Sequence, residues 1–457
     1  MKKMLDTMVI FGATGDLTSR YLLPALAKLH QAERLSDPFH IIGVARQPWN
    51  KDKFRKHIAD SLEKHGGQTH AEMRQGLLGS LDYERCDVSN PEEVSALLKP
   101  LKKPFVAYLA IPSGLFEPVI DALLRVQLAS GSRIVCEKPF GHDLASAQKL
   151  NRLLSKSLPE NAVFRVDHFL HKQTIQNILG LRFANRIFEP VWNSQHIERV
   201  EIIWDETLSV DGRSSYYDST GALLDMIQNH LLQLLCLVAM EVPHSLEEDD
   251  FRDRKVDVLR AIRRYSEEEV KGRTIRGRYA SGAIAGRAIP AYVDEQGVDP
   301  SRNTETFAQV TLGVHSWRWA GVPFILRTGK ALNRRRKSIE IYFKPVPHLV
   351  FGQDRAPAPN VLRLNTTPDQ LAVQVNINGP GDPFELERLE VNAELSPHEL
   401  PAYARLLIDV LEGDPTLSIR DDEVEESWRV IEPIVEAWRA NAVPLREYSA
   451  GSSGPES

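Results

Sequence analysis

The stretch Thr7-Met8-Val9-Ile10-Phe11-Gly12-Ala13-Thr14-Gly15-Asp16-Leu17 decides how the chain begins to fold. A short run of β-favouring, apolar residues meets two glycines, and a helical pattern follows to about Gln31. Strand, tight turn and helix in that order open a βαβ unit. Gly12 and Gly15 let backbone N–H groups approach a ligand, and a helix N-terminus favours negative charge. The turn 12–17 is therefore the expected contact for the diphosphate of a dinucleotide. It is not the full G-x-G-x-x-G pattern, so its neighbours must support it.

They continue the same alternation. Residues 39–44, 105–111 and 133–136 are further short apolar strands, with helical patterns at 92–98 and 116–129. Alternating β and α of this kind gives a parallel, doubly wound sheet. Pro24 either kinks the first helix or begins a second segment. After about residue 167 the rhythm changes to period-two strands at 200–204, 306–315, 338–344 and 371–378. Long helical patterns lie at 219–240, 397–412 and 421–440. The expected organisation is an α/β domain over 1–167 and a larger α+β domain over 168–457 with a mostly antiparallel sheet. The stretch 288–303 reads as a long connection inside the second.

Composition narrows the function. At 457 residues the chain exceeds one ordinary core. Hydrophobic residues at 42% and charged residues at 26% describe a globular protein with ample core material. A net charge of −6 argues against a general nucleic-acid binder. Cys86, Cys136 and Cys236 show no metal-ligand pairing and read as reduced thiols. The apolar run 8–11 is too short for a signal-peptide core, so the cytoplasm is expected. Residues 221–240 are long enough to span a bilayer, but Asp225, Gln228, Asn229, His230 and Gln233 interrupt them. A buried helix with one polar stripe is expected there, and no membrane. The Ser/Gly-rich tail 449–457 is expected to be poorly ordered.

The chemistry concentrates in Val166-Asp167-His168-Phe169-Leu170-His171-Lys172, an acid, an imidazole and an amine in one short stretch. Hydride transfer from a phosphorylated sugar needs a carboxylate to orient a base and cations to hold a phosphate. The stretch resembles the D-H-Y-L-G-K-E signature of the glucose-6-phosphate dehydrogenase family. Other family motifs follow in order: G-x-x-G-D-L over 12–17, Tyr108-Leu-Ala-Ile-Pro112, Glu137-Lys138-Pro139-Phe140-Gly141, Asp225-Met-Ile-Gln-Asn-His230 and Arg327-Thr-Gly-Lys330. The resemblance covers nearly the whole chain. It implies a Rossmann-like first domain, and a second domain for substrate binding and self-association as a homodimer or homotetramer. The implied reaction is oxidation of glucose 6-phosphate at C1 to 6-phosphogluconolactone, the first step of the oxidative pentose phosphate pathway.

For the cofactor, Gly12, Ala13, Thr14, Gly15, Asp16 and Leu17 are the expected pyrophosphate contacts. The second strand runs into Gly43-Val-Ala-Arg46 with no acid to bind a ribose 2′-hydroxyl. Arg46 suits a 2′-phosphate, which makes NADP the expected cofactor and NAD the poorer one. The resemblance adds Tyr108 and Lys138 near the cofactor, and a cis peptide before Pro139 is expected.

For the substrate, a histidine held by a carboxylate suits removal of the C1 hydroxyl proton. On residues alone either His168 or His230 can be that base. The resemblance assigns the base to His230, its orienting acid to Asp167, and phosphate binding to His168 and Lys172. It places Glu206 and Asp225 on sugar hydroxyls, and Lys330, Arg335 and Lys138 on the substrate. Arg334, Arg336 and Lys337 read as a solvated basic face. The chain departs from the family at Tyr21, Phe169, His171 and Gln173, and Glu340 stands where eukaryotic members carry an arginine of a second NADP site. Two other readings are a relative acting on another sugar or sugar phosphate and a catalytically idle dinucleotide sensor or assembly subunit. Asp167, His230 and Lys172 speak against the sensor, which has no need of a base.

Overall fold

A computed structural model describes residues 4–65, 71–210, 212, 214–351, 357–381, 384–396 and 398–456. The opening strand is β1 (Thr7–Phe11), with Met8, Val9, Ile10 and Phe11 sealed from solvent. It lies between β2 (His40–Ala45) and β4 (Val106–Leu109), parallel to both. With β3 (Leu81–Arg85), β5 (Arg133–Glu137) and β6 (Val163–Val166) it forms an all-parallel sheet in the order β3-β2-β1-β4-β5-β6. The order reverses at β1, and a crevice opens at the C-terminal ends of strands at such a point. Sequence patterning missed β3 and β6. β3 is short and partly exposed, and β6 carries Arg165, whose buried guanidinium is paired 2.7 Å from Glu160.

The helix after β1 begins as a π-helical turn, Thr18–Leu22, and continues as Leu23–Gln31. Pro24 falls just after π winding gives way to α winding in a continuous helix; it has no N–H to donate, and the Ser19 carbonyl accepts from the Ser61 hydroxyl at 2.7 Å.

By compactness the chain divides into two units, Met1–Lys172 with His244–Arg252 and His398–Glu425, and Gln173–Pro243 with Asp253–Pro397 and Glu426–Ser457. The first is not the continuous segment 1–167 expected above. The reason is the amphipathic helix Ala402–Glu412. Its Ala404, Leu407 and Leu411 enter the core that holds Met8, Ile10, Leu22, Leu26 and Val106. Arg133 secures it by donating to the carbonyls of Val410 and Leu411 at 2.6 and 2.5 Å.

The second unit is built on β7 (Ile197–Asp205), β8 (Thr274–Ala280), β11 (Phe307–Gly313), β12 (Pro323–Gly329), β13 (Arg336–Phe343), β14 (Val361–Thr366), β15 (Asp369–Asn378), β16 (Leu386–Glu394) and β17 (Leu445–Ser449). Their order is β16-β15-β14-β13-β7-β12-β11-β8-β17, antiparallel except at β7–β12 and β8–β17. The fold is thus a Rossmann-like parallel sheet plus a larger, mostly antiparallel α+β part. A hairpin of β9 (Gly282–Ile284) and β10 (Arg287–Ile289) leads into the long connection, which also holds short helical turns at Tyr292–Asp294 and Pro300–Arg302.

The helix expected at 219–240 is π-helical over Leu223–Leu231 and α-helical over Leu232–Ala239. Its polar stripe is satisfied in part by Lys255, which donates to buried Gln233 at 2.9 Å. No helix of the described residues is long and apolar enough to cross a membrane.

The tail corrects another expectation. Beyond β17, Gly451 N–H donates to the Ala331 carbonyl at 2.8 Å, and Ser452 O accepts from Asn333 N–H at 2.8 Å. Arg327 donates to Ser453 O at 2.8 Å. A side chain at Gly451 would strike the Ala283 carbonyl, so the glycine that reads as disorder permits a close backbone approach.

Candidate active site

On the first unit, the crevice is shaped by the β1 turn. Gly12 has φ +88°, and a Cβ there would strike the Ala110 carbonyl at the end of β4. The turn closes on itself: Gly15 N–H donates to Gly12 O at 3.0 Å, and the Thr18 hydroxyl donates to the same oxygen at 3.1 Å. Gly12 and Ala13 N–H groups tie it to Val44 of β2 at 2.9 and 3.1 Å. Thr14 donates to the Gln47 side chain at 3.0 Å, a contact the sequence did not suggest. Asp16 is exposed and paired with Arg20, while half-buried Leu17 packs on the core.

Arg46 stands exposed just past β2. The backbone there is held by Tyr83, whose hydroxyl donates to Gln47 O at 2.7 Å. Asp87 beyond β3 is kept below its ordinary range by its bonds from Ser89, with Arg46 contributing. These features fit a dinucleotide: a tight turn with no room for a side chain at Gly12, a helix start behind it, and an arginine where an acid would favour the 2′-hydroxyl.

At the ends of β4 and β5, buried Tyr108 donates to Glu137 at 2.6 Å. Desolvation pushes the Glu137 carboxyl up to about 7, against the pull of the Tyr108 bond; nearby Asp167 raises it further and Lys138 lowers it. The Lys138–Pro139 peptide is cis. After β6 the chain turns through 167–172. Asp167, 2% exposed, accepts the Phe169 N–H at 2.9 Å. His168 stacks on Tyr403 at 5.1 Å, and Tyr403 stacks on Tyr21 at 5.3 Å. Lys172 Nζ lies 4.1 Å from the centroid of the Phe169 ring. Three of the four departures thereby gain a local account, and that of Gln173 has none. Phe169 offers its face to the amine, Tyr21 joins the aromatic stack, and buried His171 meets Asp409 at 3.0 Å. Tyr403 was missed because its helix lies far away in sequence.

On the second unit, Glu206 follows β7 directly and Lys330 follows β12, the parallel neighbour. Lys330 and Lys337 hold the two oxygens of Glu206 at 2.7 and 2.6 Å. Burial alone would raise this carboxyl, yet the two ammoniums outweigh it and bring it down to about 2. Tyr217 lies beside Lys330, 5.4 Å from ring centroid to Nζ, and its hydroxyl is held high by burial and by Asp225. Asp225 and buried His230 share the π-helix Leu223–Leu231, whose i→i+5 pairing turns residues five apart towards one face. Arg335 is exposed, 3.5 Å from the Thr367 hydroxyl.

The solvated basic face expected of Arg334, Arg336 and Lys337 forms only at Arg334. Arg336 is bound to Glu340 at 2.8 Å, and Lys337 is 11% exposed on Glu206. Once β13 begins, alternation sends Arg336 and Lys337 to opposite faces of the sheet, each meeting a carboxylate, and of the four residues Arg334 and Arg335 stay exposed.

Comparison with known proteins shows the family. Residues 9–177 match the family described as glucose-6-phosphate dehydrogenase, NAD binding domain, and 179–457 match its C-terminal domain. The glucose-6-phosphate 1-dehydrogenase of Zymomonas mobilis is 39% identical, covering 100% of this chain and 97% of that protein. The crystal structure of glucose-6-phosphate 1-dehydrogenase from Mycobacterium avium is 33% identical, with a TM-score of 0.88 over 100% of this chain and 96% of that one. A glucose-6-phosphate dehydrogenase solved with glucose 6-phosphate is 30% identical, with a TM-score of 0.89 and the same coverage. The chain belongs to the glucose-6-phosphate dehydrogenase family.

Proposed function

We propose that this member of the family is an NADP-dependent glucose-6-phosphate 1-dehydrogenase, oxidising the sugar at C1 to 6-phosphogluconolactone. The observation that carries the reading is the turn 167–172 at the C-terminal end of the parallel sheet. It gathers Asp167, His168 and Lys172 in one place, next to β5 and its Glu137-Lys138 pair. Full-length similarity to a relative solved with glucose 6-phosphate supports the choice of substrate.

The turn 12–17 and Tyr108 would hold the cofactor, Arg46 its 2′-phosphate, and Lys138 both cofactor and sugar. When bound, the nicotinamide supplies the hydride acceptor. His230 takes the proton of the C1 hydroxyl, and Asp167 is the carboxylate assigned to orient that imidazole and stabilise its charge. His168 and Lys172 bind the phosphate through charge-assisted bonds. Glu206 and Asp225, acceptors when ionised, receive sugar hydroxyls. Lys330 and Arg335 complete the substrate contacts.

The cytoplasm is the proposed location, in keeping with three buried free thiols. A homodimer or homotetramer is proposed as well, and Ile377, Leu389 and Val391 exposed on β15 and β16 support association there.

The test of the reaction is isotopic. With glucose 6-phosphate deuterated at C1, the label should appear on the reduced nicotinamide and be absent from the lactone. Label kept in the sugar product, or no transfer from this sugar, overturns the proposal.

A further inference from the structure

The second cation on Glu206 helps to keep that carboxylate ionised, but it has no part in holding the sugar as assigned so far. Lys337 stands opposite Trp204 in the β7–β13 ladder, and its Nζ lies 4.8 Å from the indole centroid. From there it reaches Oε1 of Glu206 at 2.6 Å, while Lys330 takes Oε2 at 2.7 Å. The cluster is enclosed: Lys337 is 11%, Lys330 18% and Glu206 22% exposed. Burial lowers the Lys337 ammonium, so the protein accepts a desolvation cost to keep a second lysine here. One ammonium alone leaves a carboxylate free to pivot about its single bond. Two, one on each oxygen, fix the carboxylate plane.

A carboxylate oxygen offers about two lone-pair directions. With one direction per oxygen taken by a lysine, one per oxygen remains, and the remaining two lie in a fixed plane. A carboxylate presented in this way accepts two neighbouring donors at once, the arrangement of vicinal hydroxyls on a pyranose ring.

We propose that Lys337 is a positioning residue for sugar recognition, clamping Glu206 together with Lys330 so that the carboxylate receives a vicinal pair of sugar hydroxyls. This rests on the reading of Glu206 as a sugar-binding carboxylate.

The experiment is a comparison of Lys337→Met with wild type on glucose 6-phosphate, 2-deoxyglucose 6-phosphate and 3-deoxyglucose 6-phosphate, using the full chain. On glucose 6-phosphate KM should rise about tenfold, with kcat within about threefold and the cofactor KM unchanged. On at least one deoxy sugar, which lacks a hydroxyl that Glu206 holds, the penalty should shrink to about twofold. An unchanged KM overturns the proposal. So does an equal penalty on every sugar, which is what a general loosening of the fold produces. Glu206→Gln separates the two claims. If it leaves KM for glucose 6-phosphate unchanged, the reading of Glu206 itself fails. If it raises KM while Lys337→Met does not, only the role of Lys337 fails. Should Lys337→Met not fold, Lys337→Gln takes its place in the same comparison, with the same outcomes deciding.

Discussion

Arg46 is an exposed side chain just past β2, at the place proposed to favour NADP over NAD. Arg46→Ala should therefore weaken NADP by about ten- to a hundredfold, the value of one charge-assisted contact of roughly 1.5–3 kcal/mol, and leave NAD nearly unchanged. Dissociation constants for both cofactors check this, and equal losses would make Arg46 structural. His230 is the other residue on which the account depends. His230→Asn should lower kcat by roughly 10²–10⁴-fold, the usual contribution of a positioned base, with a smaller change in KM. Retention of most of the activity would shift the role to His168. The sequence could nominate both histidines, because each lies in a motif. It could not show that Lys337 is committed to Glu206, since Arg334-Arg335-Arg336-Lys337 has the composition of a solvated surface.

At the scale of elements, the helix that bears Asp225 and His230 is anchored at its start by Glu305. The carboxylate accepts the Leu223 N–H at 2.9 Å, and the Glu305 carbonyl accepts the Ala222 N–H at 3.1 Å. Burial pushes this carboxyl from the ordinary 4.5 up to about 7. Between those values the native chain keeps a proton that the unfolded chain releases. Stability is therefore greatest below the lower value and declines as pH rises towards 7, by up to about 1.4 kcal/mol per pH unit. Glu137 acts in the same direction over the same window. Glu305→Gln keeps the acceptor for Leu223 and removes the titration, so its melting midpoint should fall less steeply than wild type across this range. An unaltered slope would show that Glu305 does not hold its proton. None of this was readable from the chain. An apolar stripe broken by Asp225 and His230 announces a buried helix, but α and π windings differ by too little for residue patterning to separate.

For the whole molecule, the alternation of strands and helices was enough to foresee a parallel sheet followed by a mostly antiparallel one. β1, β2, β4 and β5 were legible because buried parallel strands are continuous apolar runs. β3 and β6 were not, because one is half-exposed and the other hides a paired arginine. The division into units escaped the sequence for another reason. The helix Ala402–Glu412 carries an ordinary amphipathic pattern, and nothing local says that its apolar face belongs with β1 and β4. The tail was misread because glycine and serine serve close backbone contact as readily as disorder. Motifs nominated the proposed site residues, those of the turn 12–17, of 137–141 and 167–172, and of the helix that bears Asp225 and His230. The measurement that bears most directly on the account is the steady-state absorbance of reduced nicotinamide, with glucose 6-phosphate or glucose as substrate and NADP or NAD as acceptor. The account predicts turnover with glucose 6-phosphate and NADP, less with NAD, and little with glucose. Equal rates on glucose and its phosphate, or no reduction of NADP, would contradict it.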